Sequence, residues 1–368
     1  MPIRRTVVAA VAFALAGLAT SARAQNPAPE AMSFTSADGV KLQGQLYKSP
    51  KGAAVPVVLM LHDYKANPDE AAWTDTAKLL VEKGYNVFRF DFRGHGKSTD
   101  IDPTIFWDTR TVGGAINKQY VKITAPLTPA TKNTIKFDEF RHDKYYPMLV
   151  QDIAAARNQI DQLNDTGTLN SSTIYLFGAG NSASLGMLYI ASEWLRESKK
   201  PNVAVPPQFV GTGRRLFPGH DAAGLDIGGA IWLSPTIPSG MTAPSIKSWV
   251  LSPYALRMRN ETPMLFVHAD GETNAKSRSD TFFNTILMAK AKTGPGGEKL
   301  LMPEQTFQHE VKGSKLSGAK LLGNNLKVEE TIEKFLAAVD KERKNKTRKV
   351  REWDKPLIID VRSFGVSQ

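Results

Sequence analysis

The reactive side chains of this sequence are hydroxyls, carboxylates and six histidines, and it has no cysteine. Thiolate nucleophiles and thiolate metal sites are therefore excluded. The stretch with the strongest chemical character is Thr173 to Tyr189, TIYLFGAGNSASLGMLY. Within it Gly178, Gly180 and Ser182 fall two residues apart. A serine becomes nucleophilic only beside a general base that an acid orients. Beyond this stretch acids are plentiful, Asp270 and Glu272 in Ala269-Asp270-Gly271-Glu272 among them, and the only histidine after Glu272 is His309. His62, His95, His142, His220 and His268 all precede Glu272. No metal-ligand cluster or phosphate loop stands out, and Gly178-x-Gly180 is too short for a dinucleotide fingerprint, so no cofactor is expected.

Several elements must hold these groups. Thr173 to Phe177 is a short run of β-formers that reads as a buried strand ended by Gly178, and Ser182 to Ala191 has helical spacing. Met32 to Tyr47 reads as a hairpin turning at Asp38-Gly39. Pro56 to Leu61 is apolar throughout, as a strand buried on both faces would be. A helix over Glu70 to Lys83 stops at Gly84, and Asn86 to Phe92 is the next strand. Further strands are expected at Ile227–Ser234, Pro263–Ala269 and Thr306–Lys312, with helices at Met148–Leu163 and Val328–Asp340. The alternation implies a mostly parallel sheet covered by helices on both faces.

The order and spacing from Asp38 to Ser98, with His62-Asp63-Tyr64 after one strand and Asp91-Phe92-Arg93-Gly94-His95-Gly96-Lys97-Ser98 after the next, resemble the opening of the α/β-hydrolase fold. The resemblance covers roughly Ser33 to Asp340 and implies serine-hydrolase, esterase or peptidase ancestry. It places a nucleophile elbow, G-x-S-x-G on a sharp strand-to-helix turn, within Thr173–Tyr189. Two readings of the elbow stand. If Gly178 is the first motif glycine, Gly180 occupies the nucleophile position and Ser182 replaces the last glycine. If the register is shifted by two residues, Ser182 is the nucleophile.

The resemblance puts the acid at Glu272 and the histidine at Ser317, within Lys315-Leu316-Ser317-Gly318. On the first reading the triad positions Gly180, Glu272 and Ser317 lack both nucleophile and base. On the second, Ser182 would pair with His309 or another base. The backbone N–H groups of Tyr64 and Asn181 are the implied oxyanion hole, a site for an anion or carbonyl even without a nucleophile. The expectation is a non-catalytic hydrolase-like protein, a pseudoenzyme binding a small-molecule or peptide ligand or a partner at the old active-site mouth. The alternative is an active ester or amide hydrolase using Ser182.

The chain has 368 residues, 42% of them hydrophobic, and a formal charge of +11. Met1 to Ala24 reads as an export signal: Arg4-Arg5, an apolar Val7–Ala19, and Ala22-Arg23-Ala24 before Gln25. Removing Arg4, Arg5 and Arg23 would leave +8. The expected destination is the periplasm, the cell envelope or the exterior, with no disulfides and no membrane span after cleavage. Residues 25–31 form a linker and 32–340 the hydrolase-like domain, with insertions at about 99–146 and 199–226. Aromatic residues in the first insertion could line a ligand cleft or anchor it to the body. A basic tail, 341–368, contains Lys341 to Arg351, which reads as a solvated face or a patch for an anionic envelope surface. Nucleic acid is not an expected partner.

Overall fold

A computed structural model describes residues 28–64, 66, 69–195, 203–204, 222–251, 256–287, 306–343, 358–359 and 361. The Met1–Ala24 leader, most of the second insertion and most of the Lys341–Arg351 run lie outside the described residues.

The strands are β1 (Glu30–Thr35), β2 (Lys41–Tyr47), β3 (Val57–Leu61), β4 (Asn86–Phe90), β5 (Ile174–Ala179), β6 (Val203–Ala204), β7 (Ile227–Leu233), β8 (Met264–Ala269), β9 (Phe307–Val311) and β10 (Ile358–Ile359). The helices are α1 (Ala71–Lys83), α2 (Pro103–Phe106), α3 (Val112–Tyr120), α4 (His142–Tyr145), α5 (Val150–Asp165), α6 (Ser182–Leu195), α7 (Ala243–Val250), α8 (Leu256–Glu261), α9 (Thr273–Asp280) and α10 (Val328–Glu342).

Eight strands form one sheet in the order β1-β2-β4-β3-β5-β7-β8-β9. β1 and β2 pair antiparallel, as do β2 and β4, and every pair from β4/β3 to β8/β9 is parallel. This is the α/β-hydrolase fold, with its antiparallel edge hairpin followed by a parallel, doubly covered sheet. β3, β5 and β7 are buried along their whole lengths, which is why their sequences are apolar on both faces. On one face Trp73, Ala77 and Leu80 of α1 join Ile332, Phe335 and Leu336 of α10 in a common core. On the other, Ile153 and Ile160 of α5 pack with Leu185, Leu188 and Tyr189 of α6.

The observed boundaries depart from expectation in two instructive places. Gly178 does not end β5. It pairs with Leu61 and Trp232, and the strand runs on to Ala179, because both neighbouring strands supply ladder partners. Near the C-terminal end, Ile358–Ile359 forms a two-residue parallel ladder with Val203–Ala204. Ile359 and Val361 are buried in the main core, and Gln151 of α5 binds the Ile359 backbone, donating to its carbonyl and accepting from its N–H at 3.2 Å. This part of the 341–368 segment therefore docks rather than standing in solvent.

The 99–146 insertion carries α2, α3 and α4 and is hydrogen-bonded, through Tyr145 and Asn117, to a buried charge cluster of the body. The Arg93 guanidinium, wholly buried, donates to Asp38 at 2.7 and 2.9 Å and to Asp152 at 2.8 and 2.7 Å. It also donates to the hydroxyl of Tyr145 at 3.0 Å, and Asn117 donates to Asp38 at 3.1 Å. Two carboxylates around one guanidinium satisfy its donors, without which the burial would be prohibitive. Phe106, Trp107, Phe140, Tyr145 and Tyr146 are likewise buried, so the aromatics of the insertion anchor it.

Candidate functional site

The site is built where three loops meet at the carboxyl ends of β3, β5 and β7. β5 ends at Ala179, and Gly180 turns the chain into α6 with φ +56°. That left-handed turn is the geometry of an elbow, and it assigns the elbow position to Gly180. The Gly180 N–H donates to the Leu233 carbonyl at 2.9 Å, and its own carbonyl accepts from Thr236 N–H at 3.0 Å, so the turn is braced by the end of β7.

The loop after β3 brings His62, Asp63 and Tyr64 against this turn. His62 is buried; its Nδ1 lies 2.8 Å from the Asp63 carbonyl and its Nε2 accepts from Phe92 N–H at 3.0 Å. Acceptance at Nε2 places the proton on Nδ1. Burial and the neighbouring His95 push the His62 pKa down to about 3, so the ring is a neutral strut tying the end of β3 to that of β4. The strut sets the direction of the next side chain, Asp63.

Oδ1 of Asp63 accepts from Asn181 N–H at 2.7 Å and from Tyr64 N–H at 2.8 Å. These are the two donors that the hydrolase resemblance assigns to the oxyanion hole. They do converge on one point, at the distances such a hole requires, but an oxygen of the protein already stands there. A β-carbon at Gly180 would lie 2.2 Å from Oδ2, 2.3 Å from Cγ and 2.5 Å from Oδ1 of Asp63. The aspartate therefore fills both the oxyanion position and the space over the elbow that a nucleophilic side chain would use. The expectation of an open anion or carbonyl site on these donors is corrected on this geometry.

No described donor reaches Oδ2. Burial pushes the Asp63 pKa up to about 6, against the opposing pull of the Asn181 and Tyr64 N–H groups. Tyr146, buried beside it, has a hydroxyl with no hydrogen-bond partner among the described residues. Burial and the Asp63 charge both raise the pKa of that hydroxyl. Asp63 opens onto a cavity of about 160 Å³ whose wall includes Glu70, Trp73, Ala179 and Ser317.

The remaining sequence candidates fall out as follows. Ser317 lines the cavity, and a β-carbon at Gly318 would sit 4.0 Å from the Ala179 β-carbon, so this loop lies against the end of β5. Glu272 is the N-cap of α9, its carboxylate bound to Ala275 N–H, and it does not line the cavity.

Ser182 is wholly buried. Its Oγ lies 2.8 Å from the Leu61 carbonyl oxygen and 2.7 Å from that of Ala179, and it accepts from Ala179 N–H at 3.0 Å. His309 sits on β9, three strands from β5 and roughly 14 Å away at the usual strand spacing. Main-chain groups hold the Ser182 hydroxyl, and the His309 imidazole is on the edge strand of the sheet. Among the described residues no group of three or more His, Asp or Glu side chains could hold a metal ion.

Sequence reasoning missed Asp63. Its signal was a paired one: an acid in His62-Asp63-Tyr64 together with the missing side chain at Gly180. Neither residue is informative alone.

No family model matches the chain. An uncharacterized protein of Escherichia coli K12, YfhR, is 36% identical over 70 residues, which is 19% of this chain and 25% of that protein. The matched stretch thus spans a quarter of that relative's length. Among solved structures, an esterase of Pyrococcus furiosus aligns over 84% of this chain and 90% of its own at 13% identity and TM-score 0.47. A dienelactone hydrolase of Anabaena variabilis aligns over 85% and 99% at 13% identity and TM-score 0.45. A putative α/β hydrolase of Agrobacterium tumefaciens aligns over 85% and 97% at 12% identity and TM-score 0.47. The fold assignment follows from the sheet order described above.

Proposed function

We propose that this hydrolase-fold protein carries out no serine-hydrolase chemistry and instead binds a ligand in the cavity beside Asp63. One observation carries the reading: the Asp63 carboxylate occupies the oxyanion position above a glycine elbow. A tetrahedral intermediate would have to displace a carboxylate from its own stabilising donors, and no hydroxyl stands over the elbow to form one. The absence of an imidazole at Ser317 points the same way, since a serine without a base stays protonated. The buried, main-chain-bound state of Ser182 speaks against the alternative of an active hydrolase.

The test is labelling of the purified protein with a fluorophosphonate serine probe, beside turnover of p-nitrophenyl acetate. No labelling and no turnover above the Ser182→Ala variant are expected. Stoichiometric labelling that Ser182→Ala abolishes would refute the reading.

We also propose that the protein acts outside the cytoplasm, on the strength of the Met1–Ala24 pattern. Mass spectrometry of the exported form should find a terminus at Gln25, and an intact Met1 terminus would refute export by cleavage. Attachment to an anionic surface through Lys341–Arg351 is the companion proposal. It predicts salt-sensitive binding to anionic vesicles that is lost on neutralising that run.

A further inference from the structure

We infer that the cavity beside Asp63 is a receptor for a primary ammonium group on a short aliphatic chain. The inference rests on the reading of the site as a binding site and names its ligand. The polarity of the site decides the class. In a hydrolase these two N–H groups would meet an incoming anionic oxygen. Here Oδ1 of Asp63 takes both, at 2.7 and 2.8 Å. No backbone donor of this pair is left for a ligand oxygen. What remains is the opposite: Oδ2, a carboxylate oxygen with no described donor. A carboxylate oxygen with no donor among the described residues, in a desolvated setting, asks for a donor, and most strongly for a cationic one.

The walls agree. Glu70 stands at the N-cap of α1 without capping it, so its side chain is a second carboxylate at the cavity, and Ser317 adds a hydroxyl acceptor. An ammonium has three donors to distribute among three such acceptors. Trp73, Ala66, Ala179 and Ala319 supply apolar wall for an alkyl stem. Lys320, also at the cavity, is mostly exposed and forms no salt bridge to either acid.

A volume of about 160 Å³ is close to the ~150 Å³ cavity known to admit benzene. An unbranched chain of four or so carbons ending in an ammonium is of that size. A metal ion fits less well, because the wall has no cluster of three or more acid or histidine ligands among the described residues. A lysine side chain and a free polyamine present the same group.

The test is calorimetric titration of the whole protein at pH 7.5 with n-butylammonium chloride, with sodium butyrate and 1-butanol as matched controls at equal ionic strength. Saturable one-to-one binding of butylammonium alone is expected. Asp63→Asn keeps the acceptor for both N–H groups but removes the charge, and should weaken binding roughly tenfold or more. Glu70→Gln should weaken it severalfold. Should Asp63→Asn not fold, the wild-type protein gives the same information. Binding should fall as the pH drops through about 6, where Asp63 takes up its proton. His62, also at the cavity, stays neutral across that range, so the loss does not come from it.

Spermidine and Nα-acetyl-lysine methylamide, tried in turn, tell a free polyamine from a lysine side chain. Binding of butyrate or butanol as tight as that of butylammonium overturns the inference. So does undiminished binding by Asp63→Asn, or no saturable binding of butylammonium at millimolar concentration. None of these results touches the serine-probe test, so the ammonium inference can fail while the non-catalytic reading stands.

Discussion

Placing a serine at Gly180 is the sharpest test of the Asp63 geometry. Gly180→Ser places a β-carbon 2.2 to 2.5 Å from three atoms of the Asp63 carboxyl group, far inside any real contact. Asp63 must leave, and its two charge-assisted hydrogen bonds go with it, each worth about 1.5–3 kcal/mol. A side chain at φ +56° adds about 1–2 kcal/mol of backbone strain. The single variant should therefore lose roughly 4–8 kcal/mol, a large part of the ~5–15 kcal/mol that holds a typical domain together. With Asp63→Ala already present the space is empty, and the serine should cost only the strain of about 1–2 kcal/mol. Urea unfolding of the two single variants and the double variant closes the cycle, with a coupling of about 3–6 kcal/mol expected. Losses that add to within ~0.5 kcal/mol would mean that Asp63 does not stand over Gly180. The double variant should still not hydrolyse p-nitrophenyl acetate, because Ser317 is no base. Turnover should require Ser317→His as a third change, with a gain far beyond the sum of the separate effects.

Three further outcomes follow from the same structure. The Asp63 pKa is raised on folding, so its contribution to stability is full below the ordinary carboxylate range and is lost as pH rises through about 6. Asp63→Asn should remove that loss, gaining on the wild type by about 3 kcal/mol between pH 4 and pH 7 in urea titrations, and a flat difference would refute the buried-carboxylate assignment. Truncation after Arg343 uncovers the pocket of Ile359 and Val361 and should cost roughly 3–5 kcal/mol in the same assay; an unchanged midpoint would show that the segment does not dock. Arg93→Met leaves Asp38 and Asp152 buried without their cation and should cost about 3–5 kcal/mol, with cleavage within 99–146 by a trace protease appearing first.

The frame of this protein was legible because its signals are local. Apolar runs such as Val57–Leu61 fix central strands, and the spacing from Asp38 to Ser98 carries the order of β2, β3 and β4. The left-handed turn at Gly180 was legible because it depends only on the local strand-turn-helix pattern. Asp63 was not legible, because its role arises from a contact with Asn181, 118 positions away. Its two hydrogen bonds come from backbone groups, which leave no mark on residue type. Gly178 misled for the opposite reason. Its low strand propensity is real, but two flanking strands supplied more than that preference could oppose. Ile358–Ile359 was too short to be distinguished from a solvated tail by pattern alone.

The β6–β10 ladder has a consequence for the order of events during synthesis. Val203 and Ala204 leave the ribosome long before Ile358 and Ile359, their parallel partners. Gln151, on the helix between the insertion and the elbow, waits longer still for the Ile359 backbone. The core face shared by α5 and α6 therefore stays open along one side until Val361 has been made, however early the central strands assemble. Closing it joins Gln151 to Ile359, 208 positions apart, the kind of long-range contact that slows folding. Compaction of this side of the core is thus timed by the synthesis of β10.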